Sequence, residues 1–135
     1  MNILSYNIRK GKIMKRPLHK SFACAFRGLF IAFKTERNLK IHLAAMVVAV
    51  GVGFYLRLSL LEWCLVIFAI GFVLIAELLN TALERLCDET HGGKQNQAIK
   101  NCKDISAAAV LLSALTAFII GVLILIMPLF RKLLE

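Results

Sequence analysis

Three long apolar blocks, separated by short polar stretches, dominate the chain. Ile41 to Leu56 has no charged side chain beyond the titratable His42, and Trp63 to Leu83 meets a charge or an amide only at Glu77 and Asn80. Ile105 to Phe130 has no charged residue. At about 1.5 Å per residue each block can cross roughly 30 Å of hydrocarbon, the first with help from its flanks. The pattern predicts an all-α integral membrane protein with transmembrane helices over 41–58, 61–88 and 104–128, the second extending into the cytoplasm. The third block has no compensating polar face, which argues against a core helix of a soluble domain. The first block begins far along the chain and ends in Gly53-Phe54-Tyr55-Leu56-Arg57, without the small-residue cleavage pattern of a signal peptide.

The segment before the first block has a different rhythm. Leu18, Phe22, Phe26, Leu29 and Phe33 recur at steps of three and four, while Lys20, Arg27 and Lys34 fall elsewhere. This predicts an amphipathic surface helix over 18–36, its phenylalanines in the acyl boundary and its cations near the headgroups. Packing of the same helix on the bundle is compatible with that placement. Residues 1–17 are basic and without periodicity, and are expected to be a mobile N-terminus.

Charge then orients the spans. Arg9, Lys10, Lys12, Lys15, Arg16, Lys20, Arg27, Lys34, Arg37 and Lys40 precede the first span, opposed only by Glu36. Arg57 is the one cation between the first two spans, whereas Arg85, Lys94, Lys100 and Lys103 cluster around the second connection. The positive-inside rule places the N-terminus and that connection in the cytoplasm, as expected for a multi-pass protein of the plasma membrane. Arg131 and Lys132 at the far end run against this bias and are outnumbered. The net charge of +9 is therefore read as an orientation and anionic-lipid signal. No nucleic-acid recognition motif accompanies it. Cys24, Cys64, Cys87 and Cys102 lack metal-type spacing and are read as packing residues.

One residue breaks the apolar logic. A carboxylate at membrane depth costs roughly 2.5–3.5 kcal/mol on insertion scales, so Glu77 asks for a task. Glu77, Asn80, Thr81, Glu84 and Asp88 share one helix face, since they step by three or four. Glu62 and Trp63 mark the outer end of this helix. Glu77 then lies about 22 Å further in, near the inner edge of the hydrocarbon, and Glu84 about 10 Å beyond it. One face thus offers a carboxylate to a membrane-buried hydroxyl and another to a hydrated, metal-bound polyphosphate. Those are the needs of a kinase acting on a lipid alcohol, which requires a metal on the phosphates, cations for their charge and a base for the nucleophile. Glu36, just before the first span, and Lys103 and Asp104, at the start of the third, fall at the same cytoplasmic level.

Glu77-Leu78-Leu79-Asn80-Thr81-Ala82-Leu83-Glu84, followed by Lys103-Asp104-Ile105-Ser106-Ala107-Ala108-Ala109-Val110, resembles the signature of the prokaryotic diacylglycerol kinase family, which includes undecaprenol kinases. The resemblance runs from about Leu18 to Met127 and takes in Ser21-Phe22, Phe26-Arg27-Gly28, Glu36-Arg37-Asn38 and Leu61-Glu62-Trp63. It implies Mg2+ and ATP as cofactor and co-substrate, a membrane lipid alcohol as acceptor, and a homotrimer whose sites are shared between subunits. Glu77 matches the family's general base and lipid-hydroxyl contact, with Asn80 beside it. Glu36 and Glu84 match its metal ligands and border ATP, which Lys103 and Asp104 help to hold. Cys24 stands where many members have a tyrosine near the nucleotide. Asn96 stands, by its spacing from Lys103, where they have a histidine, and is taken as a further ATP contact; the parts played by Lys94 and Gln95 are left open. The Leu-Glu-Trp and Asn-Thr forms are closer to the undecaprenol branch, though diacylglycerol stays open as acceptor.

Plainer readings exist residue by residue. Asp104 can cap a helix, Lys103 can anchor at the interface, and Asn80 and Thr81 can join helices through hydrogen bonds. Glu77 can also be the titrating group of a non-enzymatic membrane oligomer, a proton-coupled carrier or a pore. That alternative has no use for Glu84, Lys103 and Asp104 together.

Overall fold

A computed structural model of the chain describes residues 17–91 and 96–134. The basic N-terminus, apart from Pro17, lies outside the described residues, as do Lys94 and Gln95. The described chain is helical throughout and divides into two compact units at Ile31/Ala32. Helix α1 spans Leu18–Thr35, α2 Arg37–Leu56, α3 Leu60–His91 and α4 Gln97–Gly121. A π-helical turn, Val122–Ile126, joins α4 to α5, Met127–Leu134. Among the described residues, three helices are long and apolar enough to cross a membrane: α2, α3, and α4 continued through the π turn and α5.

Within α1, Lys20 and Ser21 donate their backbone N–H groups to the Pro17 carbonyl, and Lys34 in the last turn complements the helix dipole. Leu18, Phe22, Phe26 and Phe33 are all exposed. The chain breaks at a single extended residue, Glu36, whose carboxylate then sits at the favourable N-terminal end of α2.

The α2–α3 turn is built from three local devices. Arg57 adopts the left-handed conformation, with φ 55° and ψ 53°. Its N–H reaches the Phe54 carbonyl while Leu58 N–H reaches that of Gly53, the paired bonds of a Schellman cap. Ser59 and Glu62 then form a capping box. Ser59 N and Oγ each donate to Glu62 Oε2 at 2.7 Å, and Glu62 N returns a longer bond to Ser59 Oγ. Gly53 closes the corner, because a Cβ there would lie 2.9 Å from Trp63 Cη2.

α3 is the central element, packing against α2 and, most extensively, against α4. Its buried positions Val66, Ala69, Val73, Glu77, Asn80 and Thr81 form one stripe, so the polar face continues the apolar one along the same side. Opposite it α4 presents small polar residues, Ser106 and the fully buried Ser113, whose hydroxyl donates to the Val110 carbonyl. Small side chains let the two backbones approach without an apolar driving force. Much of the remaining surface is apolar: Val47, Val48, Phe68, Leu79, Leu111, Leu112 and Phe118 all stay exposed in the single chain. The π turn has a local cause at Pro128, which supplies no N–H to the Ile124 carbonyl and whose ring presses on the preceding turn.

Candidate functional site

Glu77 is 2% exposed, three turns or more from either end of α3. Its Oε2 atom is buried with no hydrogen-bond partner among the described residues. Asn38 and His42 of α2, Glu36 before them, and Glu84 further along α3 are the polar groups that act on this carboxylate. Exposure rises steadily along the stripe. Asn80 and Thr81 are buried, Glu84 is half-buried and Asp88 is exposed. A single helix face therefore leads from a dry carboxylate to a wet one.

The next layer is a connected set of hydrogen bonds. Ser106 Oγ donates to Asn80 Oδ1 at 2.6 Å, and Asn80 Nδ2 donates to Glu84 Oε1 at 3.2 Å. Across the bundle, Arg85 pairs with Glu36 Oε1 at 3.1 Å and also donates to Thr35 Oγ1. Thr35 in turn donates to the same Glu36 Oε1 at 2.9 Å. Lys103 of α4 is paired with Asp88 and lies within electrostatic reach of Glu84. Two cavities flank this centre. One, of about 600 Å3, is lined by His42, Ala49, Val73, Ala117, Leu125 and Leu129. The other, of about 770 Å3, lies between α3 and α4 beside Leu79, Asn80, Leu83, Cys102, Ile105 and Ser106. Both walls are almost wholly apolar, as suits hydrocarbon rather than a polar ligand.

The residues singled out in the sequence fare differently. Glu36, Glu77, Asn80, Glu84 and Lys103 are gathered at one end of the bundle, away from Glu62 and Trp63. Asn96 is the N-cap of α4, its Oδ1 accepting from Ala98 N at 3.0 Å. Asp104 lies well inside α4 and so does not cap it; it is exposed and makes no ion pair among the described residues. Sequence reasoning passed over Arg85, Thr35, Asn38, His42 and Ser106 as site residues. It placed Asp88 on the stripe without a partner. It also treated Cys87 and Cys102 as unrelated, although they face one another across α3 and α4.

Among the described residues no three His, Cys, Asp or Glu side chains converge on one point. The site's carboxylates are instead spread over α3 and the α1–α2 break, with Glu36 and Glu84 each within electrostatic reach of Glu77 and Arg85 paired with Glu36.

Residues 23–125 match the sequence profile of the family described as prokaryotic diacylglycerol kinase. The chain belongs to that family. It is thus a helical membrane protein from a family of lipid kinases. It is 40% identical over 105 residues to the undecaprenol kinase of Bacillus subtilis (strain 168), covering 78% of this chain and 85% of that one. It is 36% identical over 126 residues to a diacylglycerol kinase of Synechocystis sp., covering 85% of this chain and 72% of the relative. The diacylglycerol kinase of Escherichia coli (strain K12) is 28% identical over 100 residues, covering 74% and 81%.

Proposed function

We propose that the chain transfers the γ-phosphate of ATP to the hydroxyl of a membrane lipid alcohol, with undecaprenol as the acceptor. The observation that carries this is Glu77, a buried carboxylate with an unfilled acceptor atom, one end of a face whose other end is hydrated. A hydroxyl brought from the lipid side meets Glu77 Oε2, which orients it and takes its proton as the hydroxyl oxygen attacks the γ-phosphorus. The bond from that phosphorus to the β-phosphate oxygen breaks, releasing ADP. Asn80, tied to Glu84, links that base to the phosphate end of the face. Lys103, steered by Asp88, supplies positive charge to the phosphates. Asp104 and Asn96 border the nucleotide. Substrate preference follows the Leu61-Glu62-Trp63 and Asn80-Thr81 forms and the 40% identity to the Bacillus undecaprenol kinase.

Glu36 and Glu84 fit a magnesium ion. Their hard oxygen donors suit it, two carboxylates suffice for an ion that keeps several waters, and Glu36 and Glu84, each within electrostatic reach of Glu77, add negative charge for it to neutralise. Held by Glu36 and Glu84, Mg2+ would supply positive charge to offset that which develops on the phosphates during transfer. The basic residues before α2 and around the α3–α4 connection favour, by the positive-inside rule, a cytoplasmic side for this end, where ATP is available. The exposed apolar faces suit a homotrimer with sites shared between subunits.

The test is direct. Purified full-length protein in lipid micelles receives Mg2+, γ-labelled ATP and either undecaprenol or diacylglycerol. Label in the polyprenol, faster than in the glyceride, is expected. Label in neither lipid, with ion flux in vesicles, refutes the kinase reading.

A further inference from the structure

The two carboxylates assigned to magnesium share a detail: each has its described hydrogen bonds on one oxygen only. Glu36 Oε1 accepts from Thr35 Oγ1 at 2.9 Å and from Arg85 at 3.1 Å. Glu84 Oε1 accepts from Asn80 Nδ2 at 3.2 Å. Neither Oε2 takes a described hydrogen bond. Both ties are anchored again behind the first contact. Arg85 also donates to Thr35, closing a three-membered ring of groups around Glu36 Oε1. Ser106 Oγ donates to Asn80 Oδ1 at 2.6 Å, and is buried with it. Glu84 Oε1 only accepts, so Asn80 turns its Nδ2 toward it and leaves Oδ1 for Ser106 Oγ, whose hydroxyl also has the Lys103 carbonyl at 2.9 Å.

We propose that Arg85 with Thr35, and Ser106 through Asn80, are positioning residues that hold one oxygen of each carboxylate and leave the other for a divalent cation. The inference rests on the assignment of Glu36 and Glu84 as metal ligands. Its physical basis is the cost of ordering. A glutamate on a helix end samples several rotamers, and a cation that must freeze two such side chains binds less tightly than one that finds them held. The braces come from outside the ligand pair. Arg85 is on α3, forty-nine positions from Glu36, and Ser106 is on α4, twenty-six from Asn80. The arrangement therefore exists only when α2, α3 and α4 are correctly assembled, and it makes cation binding a report on that assembly. Arg85 offers its second role through charge. It partly neutralises Glu36, so that a carboxylate within electrostatic reach of Glu77 is tolerated before any metal arrives.

Loss of a partner behind a metal ligand commonly weakens metal binding by about 10- to 100-fold. The experiment measures Mn2+ binding to the purified full-length protein in micelles, by loss of the free-ion electron paramagnetic resonance signal, beside the Mg2+ dependence of lipid phosphorylation. Arg85→Ala and Ser106→Ala are each expected to raise the Mn2+ dissociation constant about 10-fold. The half-saturating Mg2+ concentration should rise in step, the lipid KM should not move in Arg85→Ala, and Arg85→Lys should recover part of the loss. Thermal melting of each variant guards against simple unfolding; Ser106→Ala removes one atom and Arg85 is on the surface. Unchanged Mn2+ affinity in both variants, while Glu36→Gln weakens it, overturns the positioning role and leaves the metal ligands standing. Unchanged affinity in Glu36→Gln overturns the ligand assignment beneath it. A fall in turnover with melting temperature and no separate change in metal affinity also overturns the proposal, because it reduces both residues to structural ones.

Discussion

Gly53 sets the corner from which α2 and α3 run toward the site, and the cost of filling it can be worked from the geometry. A Cβ at Gly53 falls 2.9 Å from Trp63 Cη2, 3.1 Å from Leu58 Cδ1 and 3.2 Å from Trp63 Cζ2. The leucine methyl is the end of a flexible side chain and can give way. The indole cannot yield as easily, since it is half-buried and its ring lies 4.8 Å from that of Phe54. Forcing an extra carbon into such a space costs about 1–3 kcal/mol. Gly→Ala in a helix also gains roughly 0.5–1 kcal/mol from backbone entropy, which would blur the result. Gly51 removes that ambiguity, because it lies in the same helix and a Cβ there meets nothing within 4 Å. The difference between Gly53→Ala and Gly51→Ala isolates the packing cost, about 5- to 150-fold in the unfolding equilibrium. Unfolding of both variants in mixed detergent micelles, followed by circular dichroism, gives that ratio. Equal stability, or a greater loss at Gly51, would refute the packing argument.

Three further outcomes are expected. Glu84→Gln should raise the Mg2+ requirement and abolish most turnover, read from initial rates against Mg2+ concentration. Lys103→Met should raise the KM for ATP by about 10- to 150-fold, since a charge-assisted contact to phosphate is worth about 1.5–3 kcal/mol, while the lipid KM holds. Pro128→Ala restores the missing N–H beneath the π turn and should stabilise the protein by less than the ~3 kcal/mol that a proline costs in a helix interior, measured by detergent-induced unfolding.

The three spanning helices were legible because nothing but a helix satisfies its own backbone over so long an apolar run. Glu77 and its stripe were legible for a related reason, an acid in such a run being costly, and the structure adds that Val66, Ala69 and Val73 share its face. The capping box at Ser59 and Glu62 was readable from their spacing and was missed, being hidden beside the more conspicuous Trp63. What periodicity could not supply were pairings between helices. Arg85 with Glu36, Ser106 with Asn80, and Lys103 with Asp88 depend on how far one helix slides along another, and no local rule encodes that slide. The position of Asp104 within α4 was obscured similarly, because the polar first turns from Gln97 read as loop. Asn96, singled out for the nucleotide, also has the local task of capping that helix.

Glu77→Gln tests the central claim most directly. The change keeps size and hydrogen-bonding capacity, removes the basic oxygen, and relieves the cost of a charge at membrane depth. Phosphorylation of undecaprenol by the purified variant, measured with saturating Mg-ATP beside ATP binding and melting temperature, separates the possibilities. The account predicts turnover lower by about two to four powers of ten, with ATP affinity and melting temperature preserved. Near-normal turnover in a folded variant would contradict it.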